Sequence, residues 1–350
     1  MARPDLTIMG GGIFGLSIAW AAARRGAKVR LIETRAIGAG SSGGPVGSLS
    51  PHVPEAWNTK KAFQLDSLLL AESWWAAVEL AANLPTGYGR TGRLQPLADT
   101  RAFEIAKARG IEAQSLWQGQ AVWNVVKTSA RAWEPQSPSG YMVQDTLTAR
   151  LNPVQALAAL CAAITENGGE IIIGNDIPDG PTLWATGAAG LADLSAALAQ
   201  PIGSSVKGQA LLLRHDACNQ PQLFVDGLHI VPHANGTVAI GSTSETTWAD
   251  PYSNDAQLDI LHQKAIAACP ALAQAPIISR WAGLRPRARS RAPMLGEWPN
   301  RPGHFVANGG FKIGFGLAPK VAEVMADLVL DGRDAVPDEF RVAASLKGQS

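Results

Sequence analysis

An excess of charge of one sign is what this chain most plainly lacks: 30 Lys and Arg stand against 29 Asp and Glu, a formal net charge of +1. No run of like charges stands out. Nucleic acid as a main partner would favour a basic face, so none is expected. Cysteine is scarcer still. Cys161, Cys218 and Cys269 are odd in number and far apart, with no CxxC. This argues against a disulfide framework or a metal centre, and for buried thiols in a reducing compartment. Long apolar runs are missing too: no segment offers the roughly 18 unbroken apolar residues that a membrane span requires. The apolar N-terminal stretch is broken by Gly10, Gly11 and Gly12 and has no A-x-A cleavage site, unlike a secretory signal. The expected compartment is the cytoplasm. Internal repeats and low-complexity segments are lacking as well.

What is present begins with the first 33 residues. The apolar strand Leu6-Thr7-Ile8-Met9 runs directly into Gly10-Gly11-Gly12-Ile13-Phe14-Gly15 and then into a helix. That is a dinucleotide-binding fingerprint in its proper setting. Gly10 allows the tight turn, Gly12 lets the backbone approach a pyrophosphate, and Gly15 shares a small-residue helix face with Ala19, Ala22 and Ala23 that packs closely on a sheet. The helix N-terminus points free N–H groups and a positive dipole end at the diphosphate. A second strand, Lys28-Val29-Arg30-Leu31-Ile32, ends at Glu33, where an acid hydrogen-bonds the adenosine ribose. A carboxylate there repels a 2′-phosphate and disfavours NADP.

At 350 residues and 46% hydrophobic composition, the chain has room for two domains, or for one large domain with an insertion. After Glu33 comes a glycine-rich loop over 38–47, which reads either as a flexible linker or as a row of N–H groups offered to a ligand. A helix is expected over 60–84, with Trp74-Trp75 as core, then a strand over 91–97 and a short helix over 101–109. Asn152-Pro153 starts a helix to Asn167, ended by Gly168-Gly169. A strand over 170–173 and the short Thr182-Leu183-Trp184-Ala185-Thr186-Gly187 return the chain to the nucleotide domain. Alternating strands over 209–214, 228–232 and 237–242, with a turn at Asn235-Gly236, then indicate antiparallel sheet. The strand Phe305-Val306-Ala307 leads into a second glycine loop, and a helix beginning near Pro319 ends at Gly332.

These residues resemble the D-amino-acid oxidase superfamily of FAD-dependent amine oxidases, most closely its glycine oxidase branch. The match spans nearly the whole chain: residues 8–15, Glu33, the loop from Gly40-Ser41-Ser42-Gly43 to Leu49, Ala185-Thr186-Gly187, Val206-Lys207-Gly208 and Ile230-Val231-Pro232. The most specific block is Trp281-Ala282-Gly283-Leu284-Arg285-Pro286, followed by Pro293 to Gly296 and the loop 314–319. The resemblance implies an α/β fold: a discontinuous Rossmann-type FAD-binding domain over 1–50, 146–203 and 281–350. A substrate domain of antiparallel sheet and helices, 51–145 and 204–280, is inserted into it. It implies noncovalent FAD, since the cysteine used for attachment elsewhere in the family has no counterpart in Arg287-Ala288-Arg289-Ser290-Arg291. The expected cofactor residues are Gly10, Gly12, Ile13, Phe14, Gly15, Glu33, Thr34, Arg35, Ser41, Ser42, Gly43, Gly47, Leu49, Ala185, Thr186, Gly187, Gly283, Arg285, and Gly309 through Gly310, Phe311, Lys312, Ile313 and Gly314.

In this family the arginine at the position of Arg285 clamps a substrate carboxylate, as a planar guanidinium can with two parallel hydrogen bonds. The alternative is a surface arginine in a cluster of five between Arg280 and Arg291. Departures from the branch fall near the substrate. His229 stands where the glycine oxidase pattern has a tyrosine, and Gly310-Phe311-Lys312-Ile313-Gly314 replaces His-Phe-Arg-Asn-Gly. The aspartate-glycine pair after Leu-Arg-Pro is missing, and only about nine residues link Ile173 to Thr182, where relatives carry a longer β-meander. His229 and Lys312, with His52 after the second loop, therefore join Arg285 as candidate catalytic residues, each also readable as structural.

The expected reaction is oxidation of the C–N bond of a small amine or amino acid to an imine that water hydrolyses. Oxygen or an electron-transfer partner takes the electrons. Two alternatives stay open: the oxidase half of a tRNA-wobble-uridine modifying enzyme, and a flavin-binding subunit of a dehydrogenase complex. A homo-oligomer is compatible with the sequence. The replacements also lead to the expectation that glycine is a poor substrate, that the preferred one carries an extra polar or anionic group, and that, if His229 contacts that group, affinity falls as pH rises through the histidine pKa near neutrality.

Overall fold

The computed structural model describes residues 3–129 and 131–346. The chain opens with β1 (Leu6–Met9), α1 (Ile13–Ala23), β2 (Val29–Glu33), β3 (Ser48–Leu49), α2 (Thr59–Ala82), β4 (Arg93–Pro96), α3 (Thr100–Leu116), β5 (Trp123–Lys127) and β6 (Tyr141–Asp145). It continues through β7 (Ala149–Arg150), α4 (Pro153–Glu166), β8 (Glu170–Ile173), β9 (Thr182–Trp184), α5 (Gly187–Ala197), β10 (Gly203–Arg214), β11 (Gln222–Val225), β12 (Leu228–Pro232) and β13 (Thr237–Gly241). The last elements are α6 (Ala256–Ala268), β14 (Ile277–Ala288), β15 (Met294–Glu297), β16 (His304–Asn308) and α7 (Gly314–Asp331).

Two sheets organise these elements. One has six strands in the order β15-β16-β9-β1-β2-β8, parallel except for the β15–β16 pair. Its centre is β1, buried along its whole length, which suits a strand covered on both faces. The other has eight strands in the order β14-β10-β13-β12-β11-β4-β6-β5 and is antiparallel apart from β11–β4. Its longest pairing joins β10 to β14, from Gly203 opposite Ala288 to Leu213 opposite Ile277. β3 and β7 form a small ribbon of their own.

Several helices start where the sequence supplies an acceptor. Asn58 caps α2 by accepting from Lys61 N–H at 3.1 Å, Asp99 caps α3 from Ala102 at 2.8 Å, and Asn152 caps α4 from Gln155 at 3.2 Å with Pro153 in the first turn. The main core packs α1, α2, α4 and α7 on the six-stranded sheet, where Trp74 meets Trp20 and Trp75 edge-to-face at 4.8 and 4.7 Å. A second core lies between the eight-stranded sheet and α6.

Several expectations need correction. The last helix begins at Gly314, not near Pro319. Proline suits a first turn, which drew the start to Pro319. Here Pro319 is buried inside α7, and the N–H of Lys320 donates to Ser67 Oγ on α2 at 3.2 Å. The short helix over 101–109 continues to Leu116. β5, β6, β11 and β14 went unread. The boundary at 281 cuts β14, whose whole length belongs to the eight-stranded sheet. Residues 174–181 hold no strand, in keeping with the short link expected there.

Candidate functional site

The nucleotide end is built by glycines that backbone demands. Gly10 has φ +113°, and a Cβ there would lie 2.5 Å from the Ala185 carbonyl oxygen. A Cβ on Gly15 would sit 2.0 Å from the Gly10 oxygen, so α1 crosses β1 at a separation only glycine permits. In front of Gly12 the neighbour is a single small side chain: a Cβ would meet only Ser42 Oγ, at 3.3 Å. No side chain caps α1 through Gly12, and Ile13 N–H donates to Ser42 Oγ at 3.0 Å, so Ser41, Ser42 and Gly43 lie against the helix N-terminus. A glycine-flanked helix N-terminus, with a hydroxyl beside it, forms a cradle for an anion.

Glu33 ends β2 with its carboxylate turned back to this loop, accepting from Gly11 N–H at 2.8 Å and Arg35 N–H at 2.9 Å. Each oxygen keeps lone-pair capacity for a ribose hydroxyl. Thr34 and Arg35 are exposed, with the Arg35 guanidinium 5.9 Å from the Tyr252 ring. Ala185 donates its N–H to Met9 at 2.8 Å, and Gly187 accepts from Asn308 at 2.9 Å, which holds Ala185, Thr186 and Gly187 beside the Gly10 turn. Gly47 and Leu49 have packing roles. A Cβ on Gly47 would clash with the Leu151 oxygen at 1.9 Å, and Leu49 is buried core.

Between the ends of the two large sheets lies a cavity of about 520 Å³. Ile13, Ser41 and Ser42 bring the nucleotide end to its wall, and Phe311, Lys312, Ile313 and Gly314 close it from the terminal loop. That loop is docked on the first one: a Cβ on Gly310 would lie 2.9 Å from the Phe14 ring, and a Cβ on Gly309 3.0 Å from Ala288. The eight-stranded sheet contributes Arg93, Gln95, Phe224, His229, Trp281 and Arg285, and a Cβ on Gly283 would press into the Trp281 ring at 2.5 Å. Among the described residues that line it there are three cations, Arg93, Arg285 and Lys312, and no Asp or Glu.

Arg285 is 8% exposed, with its guanidinium seated over Gly208 on the paired strand β10, where a Cβ would come within 1.9 Å of it. It donates one hydrogen bond, to the Thr243 oxygen at 3.3 Å, and among the described residues it has no ion-pair partner within 4.0 Å. Burial pushes its pKa down to about 10, against the opposing pull of Glu245. It stays charged at neutral pH. Burial and then Arg285 also lower the Lys312 pKa.

His229 lines the cavity with its ring 4.6 Å from Phe224. Burial, then the charges of Arg93 and Lys312, push its pKa down to about 3. The expectation of a histidine titrating near neutrality is therefore overturned: the ring is neutral across the physiological range. His52 also reaches the wall, held through its backbone N–H and Nδ1 by Gln64 Oε1, and burial lowers its pKa.

Sequence reasoning missed Arg93, Gln95 and Phe224. The signal was available, because residues two apart in a strand share a face and Arg93 and Gln95 put a cation and an amide on one. Among the described residues no cysteine lines the cavity, and burial pushes Cys161 and Cys269 up to about 11.

A parallel sheet whose first strand–helix turn carries dinucleotide-binding glycines meets an antiparallel sheet at this cavity. The profile of the DAO family, the FAD dependent oxidoreductases, matches residues 5–328, and the chain belongs to that family. It is 28% identical over 357 residues to the glycine oxidase of Geobacillus kaustophilus, covering 93% of each chain. It is also 28% identical over 385 residues to the Bifunctional protein ThiO/ThiG of Nostoc sp. strain PCC 7120, covering 99% of this chain but only 56% of that protein. The crystal structure of the Geobacillus kaustophilus glycine oxidase superposes with a TM-score of 0.84 at 22% identity, over 98% of this chain and 99% of that one.

Proposed function

We propose that the protein oxidises the C–N bond of a small α-amino acid, with FAD held noncovalently. The glycine cradle at Gly12 and the α1 N-terminus beside Ser42 fit the FAD pyrophosphate, Glu33 fits the adenosine ribose, and the loop 309–314 fits the flavin end. When bound, FAD supplies a two-electron acceptor: the α-carbon gives up a hydride as the amine becomes an imine, and water then releases the carbonyl product and ammonia.

The protein's own residues do the positioning. Arg285 carries a charged fork into a cavity with no acid in its wall, which fixes a carboxylate and with it the α-carbon. Ile13, Phe311 and Trp281 supply an apolar wall that excludes water near the reacting carbon. The α7 N-terminus, uncapped by any side chain and reaching the cavity at Gly314 and Phe315, presents a positive dipole end where negative charge develops. Oxygen or an electron-transfer partner takes the electrons in turn.

The observation that carries this reading is the buried Arg285 guanidinium on β14, which lines the cavity with no carboxylate partner among the described residues. Its test is anaerobic bleaching of the yellow holoenzyme by amines and amino acids set against 2-hydroxy acids of the same size. Bleaching by amino acids and not by hydroxy acids is expected; the reverse order would assign the protein to C–O oxidation.

A further inference from the structure

Resting on that reading, a deeper one concerns the far wall. We infer that Arg93 binds a second anionic group on the substrate, so that the preferred substrate is an α-amino acid with an acidic side chain. Arg93 is 5% exposed and lies on β4 directly opposite Asp145 on β6. Its Nε donates to Asp145 Oδ2 at 2.8 Å, while the other Asp145 oxygen accepts from Thr148 N–H at 2.8 Å. That carboxylate is fully buried behind the cavity wall and does not line it.

A plain cross-strand tie would engage the guanidinium fork. Here only Nε is used, and among the described residues neither terminal nitrogen has a hydrogen-bond partner, although Arg93 lines the cavity. The Phe224 ring, 5.5 Å from the guanidinium carbon, supports the side chain from one face. The result is a pair of terminal donors, held in place by Asp145 and Phe224 and free to take a planar oxyanion.

Arg93 is not redundant with Arg285. Their strands stand at positions separated by four others in the sheet, one of them β12 with the neutral His229. A substrate with one carboxylate needs a single cation; this cavity offers Arg285 and Lys312 with no acid in its wall, and beside them Arg93, whose charge Asp145 offsets but whose terminal nitrogens are left without a partner among the described residues. The two arginines suit a ligand charged at both ends.

The test compares the anaerobic flavin-reduction efficiency of the holoenzyme with aspartate, glutamate and 2-aminoadipate against the neutral amide of each side chain, as D and L forms. Acid and amide have nearly the same shape, so their ratio reads the charge contact. A ratio of about tenfold or more for at least one chain length is expected. In the double variant Arg93→Gln, Asp145→Asn, which leaves no buried carboxylate unpaired, the ratio should fall to about one. A merely structural Arg93 would leave it unchanged.

A parent ratio near one, with neutral amino acids reducing the flavin well, overturns the inference and spares the reading beneath it. A parent ratio that survives in the double variant also overturns it. Failure of every amino acid to reduce the flavin removes the underlying reading, and this inference with it. If the double variant does not fold, inhibition of the parent decides: dicarboxylates binding no better than monocarboxylates would refute the second site.

Discussion

Two residues show how placement decides chemistry. Arg285 is useful because it is buried and unpaired, and it is held there by the absence of a side chain at Gly208. Arg285→Ala should keep FAD but lose about 2–5 kcal/mol of transition-state binding for carboxylate substrates, and Arg285→Lys should restore only part. Gly208→Ala should mimic the loss without unfolding the protein, because the new methyl displaces only the flexible end of Arg285. Steady-state kinetics beside the flavin absorbance would check both; an active Gly208→Ala variant would show that the guanidinium works from elsewhere.

His229 illustrates the opposite outcome, a titratable side chain silenced by its surroundings. Its folded pKa of about 3 lies below the ordinary 6.5, so between those values the unfolded chain binds a proton that the fold refuses. Stability therefore falls as pH drops through that window. His229→Phe should flatten the acid limb of a denaturation-midpoint profile, incompletely because His233, at about 4, contributes in the same direction. Substrate affinity should show no His229 titration between pH 6 and 8.

Among elements, the β1–α1 unit was legible from sequence because its requirements are local. The turn at Gly10 and the close crossing at Gly15 each demand glycine, and Gly12 leaves the helix N-terminus approachable. Gly15→Ala should disrupt the unit, since its Cβ meets backbone at 2.0 Å, whereas Gly12→Ala meets only the Ser42 hydroxyl and should fold while binding FAD less well. Thermal melts with FAD titration would separate the two; equal effects would contradict the packing described here. Local signals misled at α7, where a proline read as a start lies inside the helix and Ser67, far away in sequence, accepts the Lys320 N–H. β14 was hidden for a related reason. Its Trp-Ala-Gly-Leu-Arg-Pro segment carries no clean alternation, and its strand character comes from pairing with β10.

At the scale of the whole molecule, the glycine loops and Arg285 could be read directly, but the cavity they share could not. Arg93 enters it only because β4, β11 and β12 fold beside one another in the eight-stranded sheet. The absence of any cysteine among the described lining residues leads to a simple expectation: acid precipitation should release all FAD into solution, and colour retained in the pellet would refute noncovalent binding. The central claim is that a buried guanidinium fixes a carboxylate so that the neighbouring C–N bond is oxidised. It is tested most directly by anaerobic flavin reduction with an α-amino acid and its α-carboxamide, in the parent and in Arg285→Ala. The account predicts faster reduction by the acid in the parent, and loss of that advantage in the variant with FAD still bound. Equal rates for acid and carboxamide in the parent, or an undiminished advantage in Arg285→Ala, would contradict it.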